Sequence, residues 1–322
     1  MTDEALGIDA GLVQRALFAF SIPPSARVSP ASSQGTFHRL FDVDAGAGGE
    51  CVLRIAAMSG EPAASLMRLE SRVMSALRAR ELPVPACEFR SIPEGGTTRG
   101  AHCMAWARGA SLTSLDADEP RMLVALSSVG RFLARLHEVP AGGYGPLSLA
   151  KWRDGGFEGV HASWDEYVFL RLDEHVEACA RMGAVSAQEA SAIGAAFERD
   201  RSLLAQTRSA LLHGDPGSHN FIMGDDGVHA VLDWEDALAG DPLFDLASLC
   251  TFHPERRHEA IFSAYGAAMP RGSGEWRRFW LYFLRISLAK TVHRHRFGYA
   301  DRPDRAPASR RIQLALERLR EG

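Results

Sequence analysis

Two hydrophobic periods run along this chain, and the places where one gives way to the other predict its elements. Over residues 1–22 the apolar positions Leu12, Leu17, Phe18 and Ile22 recur at helical spacing until Pro23-Pro24 ends the pattern. Alternation then takes over at 26–29, 37–43 and 51–55, with a glycine-rich turn at 46–49, and predicts three consecutive antiparallel strands. Pro62 opens a helix over 61–80, with the stripe Leu66, Leu69, Val73, Met74 and Leu77 and with Glu70 in its middle. A loop at 93–100 leads to a buried strand at 101–107. From there helical spacing dominates: 122–137, 164–182, roughly 187–206 behind the capping box Ser186-x-x-Glu189, and 308–320. Trp276, Phe279, Trp280, Phe283, Leu284 and Leu288 share one face of a further helix, read as core first and as a substrate wall second.

One stretch breaks the helical run. Residues 211–249 read as a strand end, a polar loop, a short strand at 220–223, an Asp-Asp-Gly turn and an apolar strand at 230–232 that delivers Asp233. His213-Gly214-Asp215 precedes this hairpin, Asn220 stands at its entrance and Asp233 at its exit. Two carboxylates and an amide oxygen suit a hard divalent cation that also binds phosphates. Phosphoryl transfer needs, besides, a carboxylate that orients an acceptor hydroxyl and takes its proton. Asp215 is placed for that task, which leaves Asn220 and Asp233 for Mg²⁺. The plainer reading, a hairpin with polar ends, leaves the ordered set of Asp, Asn, Asp and Gly240-Asp241-Pro242-x-x-Asp245 unexplained.

Composition narrows the setting. A chain of 322 residues is long enough for two parts with separate cores, and 46% hydrophobic with 24% charged residues is ordinary for a soluble enzyme. A net charge of −4 offers no general attraction to nucleic acid or to a membrane surface. The five cysteines form no CxxC pair, which argues for reduced thiols rather than a disulfide framework or a zinc site. The acidic start MTDEALGIDA does not look like a signal peptide, and no apolar run approaches the ~20 residues of a membrane span, so a cytoplasmic protein is expected. Lys151 and Lys290 are its only lysines.

His213-Gly214-Asp215-x4-Asn220, followed by Asp233-Trp234-Glu235 and by Gly240-Asp241-Pro242-x-x-Asp245, resembles the catalytic and metal-binding signature of the aminoglycoside phosphotransferase and choline kinase superfamily. The resemblance implies an α+β, two-lobed, protein-kinase-like fold: a small antiparallel-sheet N-lobe over 1–107, a hinge at about 104–107, and a larger, mainly helical C-lobe over 108–322. It implies a nucleotide, ATP or GTP, held by the loop around Gly35, by Arg54 on the third strand, and by the hinge residues Met104, Trp106 and Ala107. Arg54 stands where that family carries lysine; a guanidinium keeps the charge but changes the reach. Glu70 is implied as its helix partner, against a plainer reading as a solvated carboxylate. The absence of room for an activation loop between Asp233 and Gly240 argues against a protein substrate.

The acceptor is then a small molecule with a hydroxyl group. Val52-Leu53-Arg54, Gly143-Tyr144-Gly145-Pro146 leading to Trp152-Arg153-Asp154, and Leu284-Arg285-Ile286 are similar to the hygromycin B phosphotransferase group, which implies an antibiotic-modifying kinase serving resistance or self-protection. Asp165, Glu235, Asp236 and Trp280 are the candidate acceptor contacts. Residues 271–322 hold 13 Lys/Arg against 5 Asp/Glu, an excess of 13 − 5 = 8, which would suit instead a neutral or anionic acceptor such as a nucleoside or macrolide antibiotic or a metabolite. Choline and amino alcohols stay open from the wider family, as does an inactive kinase-like module that only binds nucleotide.

Overall fold

The computed structural model describes residues 10–32, 34–152, 156–205, 208–266, 274–299 and 308–321. Ser33, Arg153 and Asp154, and the basic positions at 271, 302 and 305 that entered the charge count above, lie outside them. The chain forms two compact units, Met1–Ala110 with Phe221–Glu235, and Ser111–Asn220 with Asp236–Gly322. The first unit therefore runs on to Ala110 and takes in a stretch assigned above to the second part of the chain. The physical reason is local: Val231 N–H donates to Pro83 O at 2.8 Å, and Gly109, at φ +146°, sits so close to Met223 that a Cβ there would fall 2.4 Å from the Met223 carbonyl oxygen.

The first unit starts with α1 (Ala10–Ala19), β1 (Arg27–Pro30), β2 (His38–Asp44), β3 (Glu50–Ala56), α2 (Glu61–Arg78), β4 (Cys87–Glu94) and β5 (Thr97–Ala105). The five strands make one antiparallel sheet in the order β1-β2-β3-β5-β4. Alternation sorts its faces. Val43, Leu53 and Ile55 pack with Leu12, Val13, Ala16 and Leu17 of α1 in a core cluster. The register pairs Asp42 with Val52 and Leu40 with Arg54, so these four side chains share the opposite face with His38. On α2 the buried stripe is Ala64, Met67, Glu70, Val73, Met74 and Leu77. Leu66, expected in that stripe, is exposed; counting in threes and fours from Ala64 puts Glu70, not Leu66, on the inward face.

The chain continues through β6 (Ala110–Ser111), α3 (Glu119–Leu136), β7 (Ala141–Gly142), β8 (Tyr144–Leu147), β9 (Phe157–His161), α4 (Trp164–Phe169), α5 (Leu172–Arg181), α6 (Ala187–Arg199), α7 (Arg201–Ala205) and β10 (Ala210–Leu212). The hairpin β11 (Phe221–Gly224) and β12 (Gly227–Val231) returns to the first unit. β13 (Leu238–Gly240), α8 (Pro242–Cys250), α9 (His258–Tyr265), α10 (Gly274–Arg296) and α11 (Ala308–Glu321) complete the second. Two of the expected helices are each divided. The 164–182 helix breaks at Arg171, whose φ of 59° leaves the helical region, and the 187–206 helix breaks at Asp200, whose carboxylate takes Arg277 at 2.7 Å.

Packing in the second unit centres on α10, where every residue from Phe279 to Leu284 is buried. A helix apolar on all sides belongs inside a core rather than on its surface. Its Arg285 is accommodated because the guanidinium donates to the carbonyls of Val168 and Leu170, which lie where α4 ends. Among the described residues no helix is long and apolar enough to cross a membrane.

Candidate active site

The first unit gathers a cluster of charges around Arg54. From β3 its Nη1 donates to both carboxylate oxygens of Glu70 on α2, at 2.8 and 3.0 Å. Its Nη2 donates to Asp233 Oδ1 at 3.1 Å and to Glu235 Oε2 at 2.9 Å. Glu235 also takes His38 Nε2 at 2.7 Å, and Glu70 accepts the Trp234 backbone N–H at 3.1 Å. Burial works to lower the Arg54 pKa, but Glu70, Asp233 and Glu235 together push it above its ordinary value. Burial works to raise Glu235, and the hydrogen bond from His38 and the Arg54 charge win, leaving its carboxyl below the ordinary range. One guanidinium thus faces three carboxylates. Asp233 itself holds φ +62°, a sparsely populated conformation for a residue with a side chain and one that collects at functional positions.

On the same face of this sheet a cavity opens between Ser29, Asp42, Asp44, Glu50, Trp106 and Arg108. Trp106 is 42% exposed there, Arg108 pairs with Glu50 at 2.6 Å, and Met104 and Ala107 flank it in sequence, each half-buried. Gly35 lies in the β1–β2 connection, which the Gln34 side chain ties down by donating to the carbonyls of Ala31 and Leu40 and accepting the Leu40 N–H.

The second unit carries Asp215 and Asn220 on the loop after β10. Gly214 has φ +85° and lies against Asp236, so that a Cβ would sit 2.0 Å from the Asp236 carbonyl oxygen; the middle residue of His-Gly-Asp must be glycine. Asp245, fully buried on α8, accepts the backbone N–H groups of His213 at 2.7 Å and of Gly214 at 3.0 Å, while His137 Nε2 donates to it at 3.2 Å. Asn220 Nδ2 donates to the Asp215 carbonyl at 3.0 Å, which leaves the amide oxygen as the atom able to take a ligand. The Asp215 carboxylate has Lys290 Nζ at 3.3 Å from Oδ1 and His219 Nε2 at 3.9 Å from Oδ2. Burial would raise its pKa, yet the Lys290 charge, with His219 and His213, holds it below the ordinary carboxylate value.

The other expected contacts fall elsewhere. Trp280 is fully buried, packed edge-on against Trp276 and Phe279, so the core reading of that stripe is the one its position matches. Asp165 is engaged by Ser163 and by Arg201 at 3.0 Å. Asp236 is exposed. Three residues carry more of the site than the sequence signalled. Asp245 was visible in the Gly-Asp-Pro motif without a task, His38 was one polar position of an alternating strand, and Lys290 was noted only for its rarity.

Taken separately, the Asn220 amide oxygen of the second unit and the Asp233 carboxylate of the first are oxygen donors of the kind Mg²⁺ prefers. Among the described residues no three His, Cys, Asp or Glu side chains form a group that could hold a metal ion.

Comparison with known proteins gives the family and the fold. A family model described as "Phosphotransferase enzyme family" matches residues 28–279. A thermostable mutant of aminoglycoside phosphotransferase APH(4)-Ia, in ternary complex with AMP-PNP and hygromycin B, is 22% identical, with a TM-score of 0.65 over 96% of this chain and 99% of that one. The GDP and kanamycin complex of APH(2")-IIia is 13% identical, with a TM-score of 0.61 over 97% and 98%. A choline/ethanolamine kinase family protein from Mesorhizobium loti is 17% identical, with a TM-score of 0.59 over 96% and 93%. No curated protein matches the chain. The fold is the α+β, kinase-like fold of these phosphotransferases.

Proposed function

We propose a specific reaction for this chain, which belongs to the phosphotransferase enzyme family: transfer of the γ-phosphoryl group of ATP or GTP to a hydroxyl of an aminoglycoside such as hygromycin B. The observation that carries this reading is the Asp215 carboxylate, kept ionised beside Lys290 on a loop whose backbone Asp245 pins. In the reaction Asp215 accepts the proton of the acceptor hydroxyl as its oxygen bonds to the γ-phosphorus. The bond from phosphorus to the β,γ-bridging oxygen breaks, and the nucleoside diphosphate leaves with that electron pair. Asn220 and Asp233 would hold Mg²⁺, which supplies charge neutralisation at the phosphates. Arg54, anchored by Glu70, is the phosphate cation of the first unit, and the cavity at Trp106 takes the base. Catalysis of this kind is mostly positioning and electrostatics, so a few well-held groups suffice.

The acceptor class rests on the hygromycin B and kanamycin complexes of the similar proteins and on the short motifs shared with the hygromycin B group. The basic excess at 271–322 weighs less against a polycationic acceptor than its count suggests. Arg277 and Arg278 are held by Asp200 and Asp241, Arg285 by backbone carbonyls, and Arg318 by Glu255 and Glu321. A resistance role in the cytoplasm fits the five free cysteine thiols. The test is phosphorylation of hygromycin B, with kanamycin, a macrolide, a nucleoside antibiotic and choline run alongside, each with MgATP and MgGTP. Hygromycin B should gain one phosphoryl group in a Mg²⁺-dependent reaction. Turnover of choline or a nucleoside alone would keep the kinase and discard the aminoglycoside.

A further inference from the structure

Lys290 is one of two lysines among the 36 Lys and Arg residues of the chain, and it lies on α10, whose middle is buried on all sides. Its ammonium sits 3.3 Å from Asp215 Oδ1, 3.4 Å from Thr251 Oγ1 and 3.6 Å from the centroid of the Phe252 ring. An aromatic face, a hydroxyl and one carboxylate oxygen fix a compact point charge from three sides, an arrangement a flat guanidinium would not fill in the same way. The closest approach to Asp215 is at Oδ1, whereas Oδ2 faces His219 at 3.9 Å, and that histidine is largely exposed. Among the described residues, Asp236, and Arg311 of α11, also act on Lys290, and His293 lies about one helical turn further along α10.

We propose that Lys290 is a positioning residue for phosphoryl transfer: it holds Oδ1 of Asp215 and so turns Oδ2 towards the acceptor hydroxyl whose proton it takes. This rests on the reading of Asp215 as the base. Thr251 and Phe252 hold the ammonium in turn. The electrostatics agree. Burial lowers the Lys290 pKa to about 8, against the opposing pull of the Asp215 carboxylate.

Two lysines make the test direct. Biosynthetic [ε-¹³C]lysine labelling of the full chain gives two side-chain signals, and the one absent from Lys290→Met is that of Lys290. In Asp215→Asn its titration midpoint should fall further, because the carboxylate that raised it is gone. A midpoint that does not move between wild type and Asp215→Asn overturns the contact. For function the probe is hydrolysis of MgATP and of MgGTP, with water as acceptor. Lys290→Met should lower kcat by roughly 10²-fold while the nucleotide KM stays within about twofold, and Lys290→Arg should recover part of the loss. A purely structural role would instead lower the amount of folded enzyme and leave kcat per folded molecule unchanged. An unchanged kcat in a folded Lys290→Met, beside an active wild type, defeats the positioning role alone. A wild type that neither hydrolyses either nucleotide nor phosphorylates any acceptor of the panel above defeats the phosphotransfer reading, and this role with it.

Discussion

Arg54 in the first unit and Lys290 in the second each set a cation against a carboxylate of the motif, but they do so on different plans. Arg54 is held by both oxygens of Glu70 and reaches Asp233 and Glu235 with its second nitrogen. Its charge is permanent, its geometry forked, and three carboxylates compete for it. Lys290 pairs with one carboxylate, that of Asp215, and its charge is titratable near the physiological range. A forked, permanent cation suits a frame that must not change during a reaction. A single, titratable cation suits a group whose own basicity is the working quantity. The difference predicts that perturbing Arg54 costs binding, rate and stability together, whereas perturbing the Asp215 side costs rate.

The largest effect should come from Asp215→Asn, which removes the base and keeps the shape. Turnover should drop by roughly 10²–10⁴ while MgATP or MgGTP affinity, read by calorimetry, stays close to wild type. Equal losses in affinity and turnover would erase the contrast between the two sites. Next comes Arg54→Ala, which leaves three carboxylates facing one another. A loss of about 3–5 kcal/mol in unfolding free energy is expected, with weaker nucleotide binding and slower transfer. Arg54→Lys should recover part of each, and Glu70→Ala should give a milder form that is less than additive with Arg54→Ala. Wild-type nucleotide binding in Arg54→Ala would assign the phosphate cation elsewhere.

Asp245→Asn should have a smaller and purely local effect. An amide keeps one acceptor for the His213 and Gly214 N–H groups but gives up the charge, at a cost of about 1–3 kcal/mol. Amide hydrogen exchange at those two positions should quicken, and nucleotide affinity should hold. Slower exchange there would contradict the anchoring.

The smallest effect is a change of slope with pH. Lys290 titrates at about 8 in the folded chain and near 10.4 when unfolded, so between those values the unfolded state binds more protons. Its contribution to stability therefore rises with pH across that window, because ∂ΔG/∂pH follows the excess of protons on the unfolded chain. Turnover should move the other way, falling above pH 8 as Asp215 loses its cation. Urea denaturation of wild type and Lys290→Met over pH 7–10 checks the first half, and the two curves should differ in slope. Parallel curves would mean that Lys290 titrates normally.

Much of this was legible without coordinates, and the division follows from range. His213-Gly214-Asp215, Asn220, Asp233 and Gly240-Asp241-Pro242 lie within one short segment, where turn chemistry and strand alternation set the backbone and a motif is a local object. The strands of the first unit and the helices of the second were readable for the same reason, since period two and period 3.6 are properties of neighbours in sequence. Boundaries that depend on one residue leaving the helical region, as at Arg171, were not. Nor was the inward turn of Glu70, because the stripe through Leu66 and Leu69 fits a helix as well as the stripe through Ala64 and Met67; only the packing of α2 on β5 chooses between them.

Apart from the Arg54–Glu70 pair that the resemblance implied, tertiary structure alone decided which distant side chains share a charge. No period in the sequence links His38, Arg54, Glu70 and Glu235, or Asp215 with Lys290, since these contacts depend on how separate elements pack. The chain by itself determined which atoms can do chemistry, and the packed core determined the electrostatic company each of them keeps. That is a matter of three-dimensional distance, because the Coulomb interaction falls off through space and takes no account of the order of residues along the backbone.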